Sequence, residues 1–182
     1  MNTEDRRAAF IRRIEIYNPE DAARNALNLA VQTRKYPIYS DSVSFEGKDR
    51  FRASIISAMK SHASIYREGV EEVDHLRTIS QLANSMSSDH AEVLIGGRLR
   101  IGTAQKALNL FLKTMWCLES DFATPPHCPV DGIVLKESAI WGSWTQLDSI
   151  DTYSEWISII QRRAKLGGFD SIAEWELAIW NP

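Results

Sequence analysis

The sequence predicts an all-α fold, a single compact multi-helix domain over residues 1–182, and three observations carry that expectation. Apolar residues recur at helical spacing through most of the chain. Asn18-Pro19-Glu20-Asp21 has the chemistry of a helix start: a capping side chain, a proline suited to the first turn, and acids that favour the positive helix end. Residues 103–118 are apolar almost all round, the pattern of a helix at the centre of a fold.

In chain order, the periodicity predicts helices over 4–17 and 19–34, divided at Asn18. Residues 36–47 alternate poorly, contain Pro37 and Gly47, and read as an ordered loop with room for a short strand. Helical patterning resumes from Asp49 to Ile65 and again from Val70 to Met86, where Val73, Leu76, Ile79, Leu82 and Ala83 share one face. Ser87-Ser88-Asp89-His90 interrupts it. A short apolar helix at Val93-Leu94-Ile95 then runs into Gly96-Gly97 and the helix over 103–118. A loop from Glu119 to Pro129 leads to Val130-Asp131-Gly132-Ile133-Val134-Leu135, and helices over 151–165 and 170–180 follow a Trp-bearing loop. The reading gives roughly seven to nine helices with no internal repeat.

With 44% hydrophobic residues the chain can fill a core without cross-links, so Cys117 and Cys128 are expected as free thiols of a cytoplasmic protein. The start, Met1-Asn2-Thr3-Glu4-Asp5-Arg6-Arg7, has no apolar region behind it, and nowhere do 18 uncharged apolar residues run together, which argues against export and membrane insertion. A net charge of −3 weighs against a nucleic-acid partner, but its distribution does not. Between Glu92 and Glu119 there is no acid, while Arg98, Arg100, Lys106 and Lys113 give a local balance of +4.

That basic segment holds the most informative motif. An apolar stretch meets Gly96, Gly97, Arg98 and Arg100, then Gly102 and Thr103 open a fresh helix whose N–H groups, beside arginines, suit a phosphate. The same turn also serves as an ordinary helix connection with glycines at the cap. Lys106 sits inside the apolar helix, where desolvation lowers an ammonium pKa and a neutral amine is a nucleophile; a lysine there can equally snorkel to solvent. Lys113, seven residues on, shares its face and is expected as a phosphate contact. Asp131, flanked by apolar residues, can cap the following helix and also act as a base or as the anion beside a developing sugar cation.

Gly102-Thr103-Ala104-Gln105-Lys106, followed across a loop by Pro129-Val130-Asp131, resembles the helix-hairpin-helix DNA glycosylases, and the pair Lys106 and Lys113 is most similar to their divergent archaeal 8-oxoguanine branch. The resemblance covers about residues 93–136. It implies excision of a damaged or modified base from duplex DNA, flipped into a pocket, with Asp131 and Lys106 catalytic, and no cofactor. Tyr39, Trp116, His127, Trp141 and Trp144 are the expected base-pocket residues, whereas Trp156, Trp175 and Trp180 are expected in the core. Attack by Lys106 on C1′ would add strand cleavage; water activated by Asp131 would give base release alone. A repair role for oxidised guanine and a defence role against hypermodified phage DNA both fit.

Other chemistries lack their residues. His62, His75 and His90 have no second His or Cys within one helical turn, His127-Cys128 with Cys117 does not complete a zinc site, and Glu71 and Glu72 before His75 suit a solvated face. No phosphate loop or dinucleotide fingerprint is present. The alternative is a non-enzymatic helical module that binds DNA or protein through residues 96–113. Whether Lys106 and Asp131 converge on one cavity discriminates the two.

Overall fold

The computed structural model describes residues 2–33 and 35–180. Its helices are α1 (Thr3–Ile14), α2 (Pro19–Val31), α3 (Phe45–Glu68), α4 (Glu72–Asp89), α5 (Ile101–Leu118), α6 (Gly132–Glu137), α7 (Ile150–Leu166) and α8 (Ile172–Trp180), with 3-10 turns at Ile95–Gly97 and Trp144–Gln146. The all-helical fold is as the sequence predicts. Residue 34, the expected end of the second helix, lies outside the described residues.

Local chemistry fixes the boundaries. Asn18 caps α2 by accepting from the Asp21 N–H at 2.9 Å, with Pro19 in the first turn. Helix α3 begins earlier than the apolar pattern implies because Ser44 caps it, its hydroxyl accepting from Gly47 N at 3.0 Å. Helix α4 runs through Ser87 and Ser88, where an interruption was expected. The Ser87 hydroxyl donates to Ala83 O at 2.6 Å, so the polar side chain folds onto the helix rather than breaking it.

Two features of the 93–102 segment differ from the expectation. Val93 and Leu94 are not helical, and the 3-10 turn starts only at Ile95: Ile95 N donates to Ile38 O and Ser40 N to Val93 O, both at 2.9 Å, pairing this stretch with the 38–40 loop around a bridge between Tyr39 and Leu94. Gly96 and Gly97 follow with φ of 63° and 66°, a backbone region that side chains rarely tolerate, and turn the chain into α5.

Helix α5 is the axis. It packs against α1, α2, α3, α4 and α7, and every residue from Ile101 to Cys117 except Lys106 is buried. Helix α8 packs on α1 and α7, and brings Trp180 edge-on to Phe10 of α1 at 4.8 Å between ring centroids. Among the described residues no helix is long and apolar enough to cross a membrane, and Cys117 and Cys128 are free and buried.

The start of α5 is closed by the 144–148 loop. Gly102 N donates to Leu147 O at 2.8 Å, and a Cβ on Gly102 would lie 1.7 Å from the carbonyl oxygen of Trp144. The obstacle is the Trp144 backbone, with no flexible side chain to yield. Gly102→Ala is therefore expected to push the loop off the helix and cost about 3 kcal/mol. A lowered chemical-denaturation midpoint, with new proteolytic cleavage in residues 143–148, checks this.

Candidate active site

Helix α5, the Cys128–Asp131 segment and the two terminal helices together line one cavity of about 260 Å³. Lys106, Lys113, Asp131 and Glu176 contribute to its wall with Asn25, Phe10 and Trp180. Lys106 and Asp131 thus converge.

Asp131 caps α6. Its Oδ1 accepts from Ile133 N at 2.9 Å and Val134 N at 3.2 Å, so the cap fixes the carboxylate while both bonds fall on one oxygen. Lys106 is the one half-buried position on the inner length of α5, and its Nζ lies 4.2 Å from the centroid of the Trp144 ring. Burial pulls the Lys106 ammonium below its ordinary value, and the Asp131 carboxylate opposes that shift. The cavity therefore holds a lysine whose pKa burial lowers, together with a carboxylate held by backbone N–H groups.

Lys113 is placed differently from its expected role. It is 2% exposed, pairs with the Glu176 carboxylate at 2.6 Å, and has its Nζ 4.4 Å from the Phe10 ring and 5.0 Å from the Trp180 ring. An ammonium so enclosed faces the cavity and its partner, not a surface phosphate. Burial raises the Glu176 pKa, and Lys113 works against it.

The hairpin residues are also engaged by the protein itself. Asp148 accepts from Ile101 N at 3.2 Å and pairs with Arg98 at 2.9 Å, while Arg100 donates to Thr145 O at 3.0 Å. Thr103 N and Ala104 N both donate to Arg100 O, and Thr103 is fully buried. The four N–H groups from Ile101 to Ala104 therefore have internal acceptors, and Asp148 stands where a phosphate was expected. Gly102 serves the close approach of the 144–148 loop, and Gly96 and Gly97 serve the turn.

None of the five expected base-pocket aromatics lines the cavity. Tyr39 packs edge-on to Phe51, and Trp116 lies under the Arg7 guanidinium. Trp141 is 99% exposed and with Trp144 borders a separate groove, lined also by Gly132 and Leu135 of α6. Only Trp144 reaches the cavity's edge, through Lys106. The rings that do line it, Phe10 and Trp180, come from the two ends of the chain. Their sequence signal is indistinguishable from that of core residues, which is why Trp180 is expected in the core, and Glu176 lies in an amphipathic pattern that reads as an ordinary helix face.

His127 belongs to a buried polar network behind the cavity. Asn109 Nδ2 donates to the Tyr153 hydroxyl at 2.9 Å, and that hydroxyl shares a hydrogen bond with His127 Nδ1 at 3.0 Å. On the other side His75 Nε2 donates to Asn109 Oδ1 at 2.8 Å, and Tyr66 OH donates to His75 Nδ1 at 2.6 Å. The His75 proton is thereby set on Nε2. Burial lowers the His75 pKa to about 4 and holds His127 well below its ordinary value. Among the described residues no three His, Cys, Asp or Glu side chains form a group that could hold a metal ion. Comparison with protein-family models, curated proteins and solved structures finds no match to this chain.

Two predictions follow from this geometry. Removing one partner of the buried pair strands the other charge, so Lys113→Met is expected to cost about 3–5 kcal/mol in urea unfolding, most of it recovered in Lys113→Met/Glu176→Leu. The histidines make the fold acid-sensitive. An unfolded His binds a proton below its ordinary pKa of 6.5, whereas folded His75 resists until about 4, so this contribution is whole above pH 6.5 and is lost as pH falls from there toward 4. At pH 5 the loss from His75 is about 2 kcal/mol. His75→Gln should flatten the dependence of unfolding free energy on pH over that range, and an unchanged slope would refute the assignment.

Proposed function

We propose that the protein is a DNA glycosylase that excises a damaged or modified base, with Asp131 and Lys106 as its catalytic residues. The observation that carries this reading is their convergence on one cavity, which a binding module working through its 96–113 surface does not require. A cavity of about 260 Å³, walled by two aromatic rings and by charged and amide groups, suits a planar heterocycle that has left the stack.

In this reading the chemistry divides between the two groups. With Lys106 neutral, its Nζ forms a bond to C1′ as the N-glycosidic bond breaks; the bonding pair leaves with the base, which takes up a proton. Asp131 stabilises the positive charge that builds on the sugar, and loss of the amine proton followed by ring opening leaves a Schiff base. If water attacks C1′ instead, Asp131 accepts its proton and the product is an abasic site. Burial, which lowers the Lys106 pKa, supports the first route, and the Asp131 carboxylate serves both. With its first N–H groups bonded to Asp148 and to backbone carbonyls, the α5 N-terminus has none left for a phosphate. Repair of oxidised guanine and attack on hypermodified phage DNA remain the two biological settings for such an enzyme.

The test is incubation of wild type and Asp131→Asn with duplexes carrying oxidised, deaminated, alkylated or hypermodified bases, followed by alkali. Wild type should release one class of base, and Asp131→Asn should lose about two orders of magnitude or more in rate. Borohydride should trap a covalent adduct with wild type and none with Lys106→Gln. Salt-dependent duplex binding with no abasic sites from any substrate would replace the enzyme by a binding module.

A further inference from the structure

The Cys128–Asp131 segment carries the candidate catalytic carboxylate, yet it lies in no helix and pairs with no strand. A stretch of this kind needs its backbone groups satisfied by side chains, and here a single side chain does most of it. The Gln105 carboxamide accepts from Val130 N at 3.1 Å and donates to Val130 O at 2.7 Å. This is the two-point exchange that a neighbouring strand would provide. Its Nε2 also donates to Gly102 O at 3.0 Å, and its Oε1 also accepts from Asn109 Nδ2 at 3.2 Å. Flipping the amide would set NH₂ against two donors and oxygen against two carbonyls, so one orientation is fixed. Asn109 completes the grip through Cys128 O at 3.1 Å.

Gln105 immediately precedes Lys106, and Val130 immediately precedes Asp131. We infer that Gln105 is a positioning residue whose amide, by holding Val130 at both backbone groups, sets the placement of the Asp131 carboxylate relative to the Lys106 amine across the cavity. The meaning of that placement for base excision rests on the glycosylase reading above; the placement itself does not. A purely structural glutamine would stabilise the fold without governing how strongly the two charged groups feel each other.

The experiment reads that coupling without a substrate. The full chain is labelled with 13Cε-lysine and the Lys106 signal, assigned by its loss in Lys106→Arg, is titrated in wild type, Asp131→Asn, Gln105→Met and the double variant. Asp131→Asn should lower the Lys106 midpoint in the wild-type background, because it removes the carboxylate that favours the ammonium. In the Gln105→Met background that lowering should shrink by more than half. An equal lowering in both backgrounds, with both proteins folded by near-ultraviolet circular dichroism, overturns the inference. Should Gln105→Met not fold, Gln105→Glu retains the acceptor for Val130 N while setting a carboxylate oxygen against Val130 O, and the same comparison applies with the same criterion. Base release by the wild type with equal shifts would keep the enzyme and remove Gln105 from its mechanism. A collapsed coupling with no base released from any duplex would keep Gln105 in its role and remove the glycosylase.

Discussion

Helix α5 is enclosed on every side, and the rest of the structure is arranged around what that enclosure demands. A buried polar group without a partner costs about 1–3 kcal/mol, and of the polar residues α5 carries into the interior Gln105, Asn109, Lys113 and Thr114 find partners, whereas the Thr103 hydroxyl finds none among the described residues. Thr114 answers within the helix, donating to Leu110 O. The other three cannot be satisfied by their own helix alone, so each draws in another element: Gln105 takes Val130, Asn109 takes His75, Tyr153 and Cys128, and Lys113 takes Glu176 of α8. The polar residues of the central helix thereby specify where the irregular 128–131 segment and the C-terminal helix sit.

The same demand builds the cavity. Bringing Glu176 to Lys113 places Trp180, on the same helix, beside Phe10; bringing Val130 to Gln105 places Asp131 beside Lys106. Lys106 is the exception along the inner length of α5. It has no carboxylate in direct ion-pair contact among the described residues, only the Trp144 ring and the more distant field of Asp131. A lysine with no direct carboxylate partner at the edge of the interior is one whose protonation can respond to a ligand.

What the sequence made legible follows from which interactions are local. Periodicity and the Asn18 cap reported the helices, because caps and faces are set within one or two turns. The centrality of residues 103–118 was legible from their apolar completeness, and the cap role of Asp131 from its place before Gly132 and an apolar run. The phosphate-binding hairpin was not a safe reading, because glycine beside arginine looks the same whether the helix start faces solvent or a folded-back loop. Asp148, which lies 47 residues from the N–H it caps, decided between them. Lys113 was likewise read from its neighbours in sequence, while its environment is set by Phe10, Glu176 and Trp180 at the two ends of the chain.

Charge balance in the cavity bears on which chemistry the site can support. Lys113 and Glu176, in contact at 2.6 Å and both out of water, neutralise each other, so neither offers Lys106 a strong net field. What remains is the opposition of burial, which favours the amine, and Asp131, which favours the ammonium. A base stacked into the cavity would exclude further water, strengthening the first influence and sharpening the second as the local dielectric falls. In the glycosylase reading, nucleophilic attack would need the first to prevail, and the sugar cation that builds as the bond breaks would need the Asp131 charge. A carboxylate held through one oxygen by the α6 cap, and placed by a glutamine that cannot rotate, is consistent with keeping those two influences in fixed proportion rather than letting them drift with side-chain motion.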